Sequence, residues 1–180
     1  VVRGWDKGGT KDGGAPTAGV AMGKDADGNW IIDNVVHGRW AAAERNRIIK
    51  GQARLDSIKY AEYKIVLEQE PGSGGKESGE ISVKDLGGYN VEAKVTRGKD
   101  LDERSEPYAV QVQSGNVYLV AGDWVEGFIA EHEVYPNGDH DDRISAAALA
   151  FNELELGSEG IASEDIDCGD NETVNMLENF

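Results

Sequence analysis

Apolar residues fall along this chain in short blocks with two different periods. Val1–Asp6 is a brief extended run that ends in an acid. Gly19–Met22 and Trp30–Val36 are apolar runs on either side of Asp25-Ala26-Asp27-Gly28-Asn29, and an Asp-Gly pair between such runs is a strong hairpin signal. Three strands are therefore predicted, the last two antiparallel. From Trp40 to about Tyr60 the period changes: Ala41–Ala43, Ile48, Ile49, Ala53 and Leu55 recur at helical spacing among Glu, Arg and Lys. Tyr63–Leu67 reads as a buried strand, ended by Pro71 and the glycines behind it. A helix over Ser73–Leu86, a strand over Tyr89–Val95, a helix over Glu103–Gln113 and a strand over Val117–Ala121 follow. Trp124–Glu131 is predicted as a helix. After the turn at Pro136-Asn137-Gly138, Asp141–Leu156 is another, with Ala146–Ala150 and Phe151 on its packed face. This order fits an α/β fold, a mixed sheet with an antiparallel hairpin and helices on both faces. Residues 1–156 read as one domain and 157–180 as an acidic, weakly ordered tail.

Composition narrows the chemistry. The 180 residues include 34 acids against 18 Lys and Arg, a net charge of −16. That balance argues against a self-sufficient binder of DNA, though Lys and Arg concentrate between Arg39 and Arg104. The lone Cys168 excludes an intrachain disulfide and a Cys-rich zinc site, and no two of His37, His132 and His140 have the spacing of a helical zinc motif. Any metal is expected to be a hard ion held by oxygen. No run approaches the length of a membrane span. The chain starts at Val1 without a signal-peptide pattern and reads as a piece of something longer.

Three acids stand where such a sheet brings elements together: Asp6 closes the first strand, Glu70 lies just past the fourth, and Asp142 opens the last helix. A two-ion phosphodiester site needs several carboxylates converging from different elements. Each acid alone also fits a turn or a helix start. Gly72-Ser73-Gly74-Gly75-Lys76 is similar to a phosphate-binding loop. The Walker pattern, however, requires glycine where Glu70 stands and Ser or Thr where Glu77 stands, so this is not an ATP site. Ser73 and the amides after it could cradle a DNA phosphate at a helix start, or simply form a tight turn. Lys76, Arg97, Lys99 and Arg104 are candidate phosphate contacts, and His140 a candidate water-positioning or metal-adjacent group.

Four blocks resemble the signatures of phage large-terminase nuclease domains, in family order. They are Arg3-Gly4-Trp5-Asp6, Glu68-Gln69-Glu70-Pro71-Gly72-Ser73-Gly74-Gly75-Lys76, Gly115-Asn116-Val117-Tyr118-Leu119-Val120 and Asp139-His140-Asp141-Asp142-Arg143-Ile144. The resemblance implies an RNase H-like fold and a two-metal endonuclease using Mg²⁺ or Mn²⁺. It implies that Asp6, Glu70 and Asp142 form the metal-binding triad, with Asp141 as an adjacent ligand. Glu68 competes with Glu70 for the second position, because it lies two residues earlier and faces the same side of a strand. Ser145 stands where an acid is expected in many relatives. The resemblance further implies cleavage of double-stranded viral DNA in the host cytoplasm. The implied partners are an ATPase domain preceding this chain, a portal protein and a small terminase subunit, with no membrane. Two other readings stay open. One is an RNase H-like resolvase or transposase core, and the other is a non-catalytic acidic interaction domain.

Overall fold

A computed structural model describes residues 1–8, 14–96, 100–157 and 173–176. Strands β1 (Val2–Asp6), β2 (Thr17–Lys24) and β3 (Trp30–Gly38) form an antiparallel meander, and helix α1 (Ala42–Lys59) follows. Next come β4 (Lys64–Gln69), α2 (Ser73–Asp85), β5 (Val91–Val95), α3 (Leu101–Gln113) and β6 (Val117–Val120). Helices α4 (Val125–Val134) and α5 (Asp142–Gly157) precede a last short strand, β7 (Thr173–Asn175). Among the described residues the sheet order is β5-β4-β1-β2-β3-β6-β7. β4 lies parallel to β1 and β5, and β6 parallel to β3, so β1, β3, β4, β5 and β6 end at one edge. No described helix is long and apolar enough to cross a membrane.

The hairpin between β2 and β3 turns where the Asp-Gly pair predicted it. Gly28 adopts φ +88°, and the Asp25 carboxylate accepts from the Asn29 amide (2.7 Å). The helices divide between the two faces as the pattern implied. Trp5, Ile65 and Leu67 pack with Ile49 and Ala53 of α1 and Leu86 at the end of α2. On the other face, Val20, Met22, Ile32 and Val66 pack with Ala146, Ala147, Ala150 and Phe151 of α5, Tyr108 of α3 and Phe128 of α4.

Alternation along β1 then fixes the site. Arg3 and Trp5 point to the α1 face, leaving Val2, Gly4 and Asp6 on the α5 face. α5 lies close against β1 because β1 offers no side chain at Gly4 and α5 offers mostly alanine. A Cβ at Gly4 would overlap the carbonyl oxygen of Ala146 and stand 2.8 Å from the amide nitrogen of Ala150. Gly4→Ala is therefore expected to push α5 outward and lower stability by about 1–3 kcal/mol. Gly51→Ala, on α1 with nothing within 4 Å of its Cβ position, should instead gain about 0.5–1 kcal/mol. Thermal melts of the two variants would show opposite signs, and equal shifts would refute this account of α5 packing.

One departure from the sequence pattern concerns the end of the chain. Residues 173–175, inside the segment read as a tail, pair antiparallel with β6, and Met176 is fully buried in the main core.

A carboxylate cluster at the sheet edge

Asp6 leaves the end of β1 on the α5 face, and Glu68 leaves the end of β4 beside it. Their strands run in parallel register up to Trp5 and Leu67. Ser145, on the first turn of α5, closes the gap: its hydroxyl donates to Glu68 Oε2 (3.0 Å) and lies beside the Asp6 carboxyl. Arg104 of α3 donates from Nη2 to the Ser145 hydroxyl (3.1 Å) and pairs with Glu68 Oε1 (3.1 Å). Thr96 donates to the same Glu68 oxygen (2.8 Å). Burial, together with the nearby Glu68, raises the Asp6 carboxyl to about 7. Ser145 and Arg104 pull the other way, and Asp142 adds to the rise.

Asp142 is the first residue of α5 and only 4% exposed. Burial, then Glu131, raises it to about 6. Its Oδ2 is buried with no hydrogen-bond partner, 3.8 Å from His140 Nδ1. Glu131 of α4 explains why this acid is so exactingly held. The Glu131 carboxylate accepts from the amides of Arg143 (2.6 Å) and Ile144 (3.3 Å), so an acid from another helix caps the start of α5. It also takes the Arg143 guanidinium at 2.7 Å. Arg143 and Arg39 have only donors to offer, so His37 Nδ1 accepts from the first (3.0 Å) and His140 Nε2 from the second (2.8 Å). Burial and Arg143 hold His37 neutral, at about 4.

A family model described as the terminase RNaseH-like domain matches residues 3–154. The chain belongs to that family. No curated protein sequence matches it. Among solved structures, a yeast mitochondrial Holliday junction resolvase aligns with a TM-score of 0.50 at 12% identity, over 88% of this chain and 79% of that one. At that identity the likeness speaks to the fold alone, which is RNase H-like.

Within this terminase domain the expected site residues separate. Asp6 and Asp142 face the same edge from β1 and α5, and Glu68 joins them, whereas Glu70 is exposed beyond the strand. Glu70 acts electrostatically on Lys7 instead. β4 runs to Gln69, two residues further than its apolar run suggests, so Val66 and Glu68 share the α5 face. Asp141 is exposed, and its carbonyl accepts the Ser145 amide (2.8 Å). His140 stands at the rim beside Asp142. Ser73 is exposed at the start of α2, and Lys76, also exposed, approaches Glu80 at 3.9 Å. Arg104 is not a free surface cation but part of the cluster. Arg97 and Lys99 lie outside the described residues. Sequence reasoning did not give Thr96, Glu131, Arg143 or His37 a part. Each acts through a partner distant in the chain, and no local motif marks such a pairing.

The edge is a set of oxygen donors short of positive charge, and Asp6, Glu68 and Asp142 are the groups able to hold a hard divalent cation there. Among the described residues no three acid or imidazole groups stand close enough to enclose an ion as they are. In this conformation the Arg104 guanidinium supplies the nearest positive charge.

Proposed function

We propose that this domain is a metal-dependent endonuclease that cuts double-stranded viral DNA at the start and end of genome packaging. Family membership supports a nuclease-type function. The observation that carries the finer reading is the meeting of Asp6, Glu68 and Asp142 at one edge, where the buried Asp142 Oδ2 has no partner and Asp6 is pushed to about 7 by its surroundings. A cluster of acids built this way is costly unless cations relieve it. Asp6, Glu68 and Asp142 would hold two Mg²⁺ or Mn²⁺ ions. When bound, such ions activate water and stabilise the departing oxygen of a phosphodiester.

The chain's own residues prepare that edge. Asp6 presents its carboxylate from a rigid strand end, Asp142 from a capped and buried helix start. Ser145 and Thr96 orient Glu68 by donating to both of its oxygens. His140, with Nε2 occupied by Arg39, turns its Nδ1–H toward Asp142, where it can position an attacking water. In the intact protein an ATPase domain, a portal protein and a small terminase subunit would bring DNA to this edge in the host cytoplasm.

Supercoiled plasmid incubated with Mg²⁺, Mn²⁺ or EDTA tests the reading. The parent should nick and linearise it with either metal and leave it intact in EDTA. Glu68→Gln should lose this activity and Glu70→Gln should retain most of it. The reverse outcome would hand the second ligand position to Glu70, and metal-independent cutting would sink the mechanism.

A further inference from the structure

The acidity of this chain is not shared evenly among its helices. α2, α3, α4 and α5 each carry more acids than Lys and Arg, whereas α1 carries Arg45, Arg47, Lys50, Arg54 and Lys59 against Glu44 and Asp56. Asp56 is buried beneath the helix on Arg3, and Lys59 pairs with Asp33 (2.6 Å). Arg47, Lys50 and Arg54 remain, all exposed and, among the described residues, in no ion pair. Spacings of three and four residues put them on one side of the helix. Gly51, between them, leaves that side open.

The stripe begins at the carboxylate edge. Arg45 donates to the carbonyl of Gly8, two residues past Asp6. Arg39, just before α1, bonds His140, which stands beside Asp142. The start of α1 and the segment leading into it are thus tied to the residues flanking the acid cluster, and the helix leads away from it. At about 1.5 Å per residue the stripe is roughly 10 Å long, the axial distance covered by about three phosphates of one DNA strand. Of the cations that sequence reasoning assigned to phosphates, the two among the described residues do not offer such a surface: Arg104 is engaged with Glu68, and Lys76 sits beside Glu80.

We propose that the face of α1 bearing Arg47, Lys50 and Arg54 is the track on which the phosphate backbone of duplex DNA lies beside the cutting edge. This rests on the nuclease reading above and names its substrate-holding surface. In a chain of net charge −16 the duplex is repelled by most of the protein, so this face also sets the direction from which DNA enters.

The test is binding of a linear duplex in EDTA, followed by fluorescence anisotropy across about 50 to 200 mM salt. The parent is compared with Arg47→Gln/Lys50→Gln/Arg54→Gln and with a control, Lys24→Gln/Lys84→Gln. The triple variant should bind about tenfold or more weakly at the low-salt end, with a log–log salt slope shallower by about 3. The control should stay close to the parent. Circular dichroism melts of these surface variants should match the parent, which separates lost contacts from lost folding. Equal affinity and slope in parent and triple variant would overturn the track and leave the face to a protein partner. Absence of any binding by the parent would overturn it too. Metal-dependent cutting with unchanged salt sensitivity in the triple variant would sink the track and leave the nuclease standing. Stripe-dependent binding without cutting under either metal would do the opposite.

Discussion

Replacing Asp6 by Asn should abolish Mg²⁺- or Mn²⁺-dependent DNA cleavage and, in EDTA at pH 8, yield a domain more stable than its parent. Both effects come from the same crowding. In the unfolded chain the Asp6 carboxyl titrates near its ordinary 3.8, whereas in the folded edge burial and Glu68 raise it to about 7. The folded state therefore binds this proton more tightly. Stability is highest below the unfolded value, falls as pH rises between the two values, and carries the full cost above 7. Asp142, raised to about 6, contributes in the same direction. An amide at position 6 keeps the shape and removes the charge, so the variant should gain up to about 4 kcal/mol at pH 8 and little at pH 4. Cleavage should meanwhile fall by well over a hundredfold, since loss of a residue that merely supports a ligand already costs about 10–100-fold. Chemical denaturation at the two pH values and a plasmid assay on the same preparations check both parts. Lost cleavage accompanied by lost stability would mark Asp6 as a structural residue.

Arg3→Ala should be the most damaging substitution away from the edge, lowering stability by about 3–5 kcal/mol. Arg3 and Asp56 are 1% and 2% exposed. The guanidinium meets both carboxylate oxygens, at 2.5 and 2.9 Å, and also reaches the Gly19 carbonyl and Asn34 Oδ1. Gln52 supplies Asp56 with a further donor at 3.0 Å. Removing the cation alone strands a buried carboxylate beneath α1. Removing both charges does not, so Arg3→Met/Asp56→Leu should recover most of the loss. Urea titrations of the two variants decide the matter. If the double variant were no more stable than Arg3→Ala, the network rather than the stranded charge would carry the stability.

What could be read in the sequence was whatever depends on neighbours in the chain. The hairpin at Asp25–Asn29, the helix over the alanines of α5 and the bounds of α2 all follow from local period and turn chemistry. Asp6 and Asp142 were legible because a strand end and a helix start are local features too. Glu68 against Glu70 was not, since the choice depends on where β4 stops, and its last residues, Glu68 and Gln69, are polar. Arg104 looked like a free cation because its partners, Glu68 and Ser145, lie 36 and 41 residues away. The stripe on α1 was visible as a local excess of Lys and Arg. That Asp56 beneath it is buried, leaving the outer face cationic, needed the packing of α1 on Arg3.

The strand at Thr173–Asn175 moves the boundary of the folding unit. The family match ends at residue 154 and α5 at Gly157, so either would be a natural place to shorten the chain. Yet Met176 fills a closed space beside the Tyr108 hydroxyl, 3.6 Å from its sulfur, and the strand before it occupies the outer edge of β6. A form cut at Gly157 would carry a hole in its core and a bare row of amides and carbonyls on β6, inviting a second molecule to pair there. The strand at Thr173–Asn175 thus serves as the seal that keeps the sheet from growing.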